Sequence, residues 1–198
     1  MWPDNYPQPA LTAIEDADIK KIIAKQETIG LRSVTDGELR RAYWHFDFLA
    51  GLDGVEMVEA QGIKFAGVTS KAEAPYVKGK LGSHHHPQIA HFEFLKANTK
   101  RTAKMMIPSP SMLHYRGGRK MIDRSAYPST HEFYRDLGQA YKQAIHGFYA
   151  AGCRYLQLDD CSFAYLCDPA QREMLAQRGD DPDKQGDSCP KARPACLA

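Results

Sequence analysis

The stretch "STHEFYRDLGQAYKQAIHGFYAAGCRYLQLDD", Ser129 to Asp160, decides the fold class. It reads first as a long amphipathic helix, capped near Ser129 and closed by Gly152. The apolar strand "RYLQLDD" follows at once and ends in two acids, Asp159 and Asp160. The same order occurs earlier. "ALTAIEDADIKKIIAKQETIG" carries Leu11, Ile14, Ile19, Ile22, Ile23 and Ile29 at helical spacing, ends in Gly30, and leads into "LRSVTDGE", a short strand and an acidic loop.

Between these two units, "TAKMMIPSP" reads as another buried strand. A helix at roughly Gln88 to Asn98 precedes it and the turn-rich "PSPSMLHYRGGR" follows. Alternating helices and strands predict an α/β fold with a parallel sheet. The segment from about Val55 to Gly82 breaks the alternation and reads as a strand-rich insertion or hairpin. No internal repeat of roughly 20–50 residues is present.

The chain has 198 residues, of which 43% are hydrophobic and 25% charged, the composition of one soluble globular domain or a piece of a larger one. Its 26 basic residues are scattered among 24 acidic ones, so nucleic acid and membrane are poor partners. No apolar run approaches the roughly 20 residues that span a bilayer. "MWPDNYPQPA" lacks a basic leader and a cleavage site, so a cytoplasmic location is expected. Five cysteines in apolar surroundings suit reduced thiols, with Cys153 and Cys161 read as small buried hydrophobes.

In a parallel α/β fold the loops at the C-terminal ends of the strands gather at one mouth. Three strands here end in polar clusters: Asp36, Glu38, Arg40 and Arg41; Ser109, Ser111, His114, Tyr115 and Arg116; Asp159 and Asp160. Each has a plainer reading. Glu38 and Arg41 make an ordinary i, i+3 pair at a helix start, and Asp160 a helix cap. Asp159, directly after a buried strand, calls for a dedicated partner such as an amine. The run His84 to His86 alternates in direction on an extended chain and reads as a solvated loop rather than a metal site. No CxxC, HExxH, GxGxxG or P-loop is present.

Three stretches, "GLRSVTDGELRRAYWHFDFLAGLDGVE", "KMMIPSPSMLHYRGGR" and "AGCRYLQLDDCSFAYLCDPAQREML", together resemble the cobalamin-independent methionine synthase family, in particular its shorter single-barrel members. The resemblance runs from about Ala10 to Asp183. It implies a (β/α)8 TIM barrel of the methionine synthase/uroporphyrinogen decarboxylase-like type. The implied reaction is transfer of a methyl group from a methyl-folate or similar donor to the thiol of homocysteine, with zinc holding the thiolate. By motif the acids that hold the homocysteine amine fall on Glu38 and Asp159. Folate-side contacts fall loosely on His114 or Tyr115, and Asp36, Ser109, Arg116 and Asp160 complete the candidate pocket.

The departures from the family pattern shape the remaining expectations. The family's zinc ligands begin with a His-x-Cys motif, and this sequence contains none. "MWPDNYPQPA" stands where a first strand and its carboxylate-gripping loop should end. A whole barrel needs about 250 residues. Residues 1–177 are therefore expected to form a partial barrel and residues 178–198 an irregular tail. A truncation or frame change near Lys184 is expected, with Cys189 and Cys196 as accidents of it. Uncovered barrel edges would favour self-association. The rival to a catalytic reading is a non-catalytic fragment or subunit that keeps part of the substrate pocket and pairs with a chain supplying zinc; a decarboxylase-like branch of the superfamily is a third.

Overall fold

The structure, a computed structural model, describes residues 8–59, 73–115, 117–160, 162–177, 179 and 181. Its elements alternate as the sequence predicts: helix α1 (Gln8–Thr28), strand β1 (Ser33–Val34), short helix α2 (Phe46–Ala50), strands β2 (Asp53–Glu59) and β3 (Glu73–Gly82), helix α3 (Gln88–Ala97) and strand β4 (Thr102–Pro108). Two 3-10 turns follow, Pro110–Leu113 and Gly118–Met121. Helix α4 (Thr130–Ala150), strand β5 (Tyr155–Asp159), and helices α5 (Ser162–Leu166) and α6 (Pro169–Gln177) complete the order.

Strands β1, β4 and β5 form a parallel sheet with β4 in the middle. Ser33 pairs with Thr102, and the β4–β5 ladder runs from Lys104 opposite Tyr155 to Pro108 opposite Asp159. Because all three strands run the same way, the loops after Val34, Pro108 and Asp159 leave from one end. Ala103, Met105 and Ile107 alternate into the core along β4.

Helix α4 forms as its period dictates. Phe133, Leu137, Ala140, Tyr141, Ala144 and Phe148 make one buried stripe, each large apolar member contributing about 1.5–3 kcal/mol relative to exposure. The Ser129 side chain accepts the His131 N–H at 3.1 Å and so caps the first turn. At the other end Gly152 takes φ +96°, and the Cys153 N–H closes on the Phe148 carbonyl at 2.8 Å. Helix α1 buries a narrower stripe. Ile19 and Ile23 are in the core, whereas Ile14 and Ile29 are exposed although they share the sequence period.

The interrupting segment is an antiparallel hairpin of β2 and β3, with Val55 opposite Val77 and Glu59 opposite Glu73. Its register shifts between Asp53 and Val55, where Gly54 sits at φ +79°. Hydrogen bonds from Leu81 N–H to the Tyr127 hydroxyl (2.7 Å) and from Ser83 N–H to Gln143 Oε1 (2.8 Å) hold β3 against α4 and the turn before it.

Three expectations need correction. Strand β5 is not buried: Tyr155 and Leu158 are 43% and 48% exposed, because β5 is an edge of the described sheet. The histidine run is only partly solvated. His84 and His85 are exposed, but His86 is buried, stacked on Phe48 at 4.3 Å with Nε2 3.0 Å from the Phe48 carbonyl. Glu38 does not start a helix; residues 37–40 form a turn, and Glu38 itself has φ +58°. The expected tail lies outside the described residues apart from Gly179 and Asp181, as do Cys161, Cys189 and Cys196. No described helix is long and apolar enough to cross a membrane.

Candidate substrate-anchoring site

The loop after β1 is held from four sides. The Gln26 side chain of α1 grips Thr35, accepting its N–H at 3.0 Å and donating to its carbonyl at 2.9 Å. Arg40 reaches back to Glu15 at 2.9 Å and to Asp16, and stacks its guanidinium 4.9 Å over the Phe94 ring. Asp47 accepts the Ala42 and Tyr43 N–H groups at 3.1 and 2.8 Å. Arg41 donates to the Glu38 carboxylate at 3.0 Å and to the Met106 carbonyl of β4 at 2.8 Å.

Within that loop Asp36 is buried and its Oδ1 accepts the Glu38 N–H at 3.0 Å. This bond and the left-handed backbone at Glu38 set where the carboxylate projects. A non-glycine residue at positive φ costs about 1–3 kcal/mol and persists only where its surroundings over-determine it.

Burial pushes the Glu38 carboxyl up from its ordinary value; Arg41 opposes this, while Asp36, Asp159 and Asp47 push it further up. The structure thus brings Glu38, Asp36 and Asp159 of the sequence-derived set into one electrostatic neighbourhood and adds Asp47. Asp159 ends β5 with Oδ1 2.5 Å from the Gln157 amide, and its carbonyl accepts the Ser109 N–H at 2.9 Å, locking β5 to the end of β4.

The other candidates build a separate wall. Ser111 Oγ lies 2.7 Å from Ser109 Oγ and 2.6 Å from Ser162 Oγ, and 3.5 Å from Asp160. Asp160 accepts the Ser162 N–H at 2.9 Å, so it does cap α5. His114 is buried with Nε2 3.2 Å from the Tyr134 hydroxyl, and Tyr115 is buried with its ring stacked on Tyr165 at 5.2 Å. Arg116 lies outside the described residues.

Sequence reasoning missed Asp47 and Gln157. Gln157 had a signal: two residues before Asp159 on a strand, it shares that residue's face. Asp47 had none, since its role depends on how the preceding loop folds back.

No protein-family model matches the chain. Among curated proteins it is 46% identical over 175 residues to the uncharacterized protein YxjH of Bacillus subtilis and 42% identical over 177 residues to the uncharacterized protein YxjG of the same organism. These matches cover 87% and 88% of this chain but 46% of each relative, so the chain spans about half the length of the curated relatives it matches. A solved structure provisionally named vitamin-B12-independent methionine synthase, from Listeria monocytogenes, superimposes with a TM-score of 0.71 at 37% identity. The superposition covers 98% of this chain and 56% of that one. A B12-independent methionine synthase from Shewanella sp. W3-18-1, solved with selenomethionine, matches at 16% identity with a TM-score of 0.61, over 97% of this chain and 52% of that one, and so shares the fold. In sequence and in fold, then, this α/β chain is similar to about half of a methionine-synthase-type protein.

Proposed function

We propose that the chain is part of a (β/α)8 barrel of the cobalamin-independent methionine synthase family and anchors the protonated amine of a homocysteine-like amino-thiol between Glu38 and Asp159. The observation that carries this reading is the charge balance at the strand ends. The Glu38 carboxylate, paired with the Arg41 guanidinium at 3.0 Å, also lies in the field of Asp36, Asp47 and Asp159. Carboxylates held in a partly buried site favour a cation that satisfies them. An ammonium group with three donors fits that need.

In the whole protein the reaction would be methyl transfer from a methyl-folate or similar donor to the homocysteine thiol, giving methionine. Zinc would supply a thiolate at neutral pH when bound. The described residues do not fit that metal: no group of three or more His, Cys, Asp or Glu side chains is gathered among them. Of the described cysteines, Cys167 is exposed, and Cys153 is buried, its thiol pushed up by burial and donating to the Tyr155 carbonyl at 3.4 Å. His114 and Tyr115, packed against Tyr134 and Tyr165, would form a donor-side wall.

A second reading is favoured by the exposed apolar edge of β5: the chain keeps the amine anchor and pairs with a second chain, its own copy or one that supplies the metal. A well-folded lone monomer in sedimentation would count against it.

The deciding experiment is calorimetric titration of the chain with L-homocysteine and with 4-mercaptobutanoate, which lacks only the amine. Binding of the first at least about tenfold tighter supports the anchor. Equal binding, or none, overturns it.

A further inference from the structure

We infer that Arg41 is the positioning residue of this site: one buried guanidinium fixes the Glu38 carboxylate against the C-terminal end of β4 and holds it aimed for a cationic ligand. The inference rests on the reading that Glu38 is an amine anchor.

The Arg41 side chain is 3% exposed, against 27% for Glu38. Its Nη1 donates to Glu38 Oε1 at 3.0 Å and to the Trp44 carbonyl at 3.3 Å, while Nη2 donates to the Met106 carbonyl at 2.8 Å and lies 3.8 Å from the Met105 sulfur. A guanidinium serves such divergent acceptors from one planar fork, whereas the single nitrogen of a lysine ammonium cannot. Burying this charge is costly, and the bonds that offset it are made by the two Nη nitrogens while Nε makes none, so the geometry of the fork is what specifies its place.

Arg41 also acts on the Glu38 backbone. Its own N–H donates to the Glu38 carbonyl at 2.9 Å and closes the turn in which Glu38 takes φ +58°. The left-handed residue is thereby pinned at its carbonyl and its carboxylate by one residue, and at its N–H by Asp36. The side-chain bond takes Oε1; no bond to Oε2 is made among the described residues. That oxygen is left for a ligand.

The charged groups facing Glu38 are Arg41 and Asp36 from the same loop, Asp47 from α2, and Asp159 from β5. On α3, His91 lies in the same field: burial pushes it toward neutrality, as do Arg40 and Arg41, while Asp36 and Glu15 oppose them. Arg41 thus favours ionised Glu38, while the three acids oppose it. A residue that stapled the loop to β4 without bringing its charge onto Glu38 would have no such effect on the anchor's titration.

The test uses the full chain with Arg41→Met and Arg41→Lys. Carbon-13 NMR follows the Glu38 carboxyl, assigned by its loss in Glu38→Gln, and calorimetry follows L-homocysteine. Arg41→Met is expected to move the Glu38 midpoint upward, to lower affinity at pH 7 by about tenfold or more, and to shift the acid limb of the binding profile upward in step. Arg41→Lys, which keeps the charge and loses the fork, is expected to leave the midpoint near its original place and still lower affinity by about fivefold or more. A folded Arg41→Met with an unmoved Glu38 midpoint overturns the inference. If that variant does not fold, full affinity in Arg41→Lys overturns it instead. Failure of the unaltered chain to prefer homocysteine over its des-amino analogue, with Glu38 still responding to Arg41, overturns the anchor reading and leaves Arg41 controlling the carboxylate.

Discussion

Replacing Glu38 by glutamine removes one charge while keeping nearly the same volume, so it separates what the carboxylate does for a ligand from what it does for the fold. An ammonium about 4 Å from a carboxylate, at an effective dielectric near 20, gains about 4 kcal/mol. Glutamine keeps an oxygen that accepts a neutral hydrogen bond, of about 1 kcal/mol. Asp36 and Asp159 continue to attract the cation, and Glu38 is 27% exposed, so solvent screens part of the difference. The net loss should be about 1.5–3 kcal/mol, a roughly tenfold to hundredfold rise in Kd for L-homocysteine.

The effect on folding has the opposite sign. The Glu38 carboxyl is raised in the folded chain, chiefly by burial, so the folded state binds its proton more readily than the unfolded state does. The charged form is therefore the less favourable one in the fold, and this group's contribution to stability grows as pH falls through its folded pKa. Glutamine mimics the protonated state. At pH 7 the variant should melt at the same temperature as the original or slightly above it, with less change in stability between pH 7 and pH 5. Calorimetry and thermal melts of one preparation supply both readings. Undiminished homocysteine binding would refute the anchor, and a lowered melting temperature would refute the charge balance from which it is derived.

Two further outcomes follow from single positions. A Cβ at Gly54 would collide with the Lys80 and Gly79 carbonyl oxygens, and the residue has φ +79°, so Gly54→Ala meets rigid backbone as well as an unfavourable conformation. It should cost about 2–4 kcal/mol in chemical denaturation; an unchanged midpoint would mean that the bulge between β2 and β3 is not as described. Buried His86 accepts the Gln88 N–H on Nδ1 and bonds the Phe48 carbonyl through Nε2, which fixes the neutral Nε2–H form, and burial lowers its pKa. Its contribution to stability is present above the ordinary value of 6.5 and is lost as pH falls from there through the folded pKa, so the melting temperature should drop on acidification from pH 7. Proton NMR showing His86 titrating at or above 6.5 would contradict this.

The order of elements was legible because local signals agree with the final packing. Ser129 and Gly152 bracket α4 by cap chemistry alone, and the 3.6-residue period of Phe133, Leu137, Ala140 and Ala144 names its buried face. Burial itself was less legible. "RYLQL" has the composition of an interior strand, yet whether Leu158 is covered depends on what lies beyond β5. His86 differs from His84 and His85 only in facing Phe48, a partner 38 positions away. A run of three identical residues holds no information about that.

The site was legible as a set of candidates and not as a geometry, for a reason that also bears on function. Asp36, Ser109 and Asp159 follow or end three separate strands, so a parallel sheet turns them toward one end, and sequence alternation is enough to predict a parallel sheet though not its order β1–β4–β5. How Glu38 is presented depends on long-range closure: Arg41 reaches the Met106 carbonyl, 65 positions away, and Gln26 reaches forward to Thr35. The Ser109 N–H meets the Asp159 carbonyl only when β4 and β5 are in register. The charge cluster therefore draws on the loop after β1, which carries Asp36 and Glu38, on α2 with Asp47 and on the end of β5 with Asp159, and it is complete only when these are assembled. A cation that binds it must be bound by the formed sheet and not by the unfolded chain. Ligand binding and closure of the β1–β4–β5 junctions are thus thermodynamically coupled, and a ligand at one hundred times its Kd should add about 2.7 kcal/mol to the stability of that sheet.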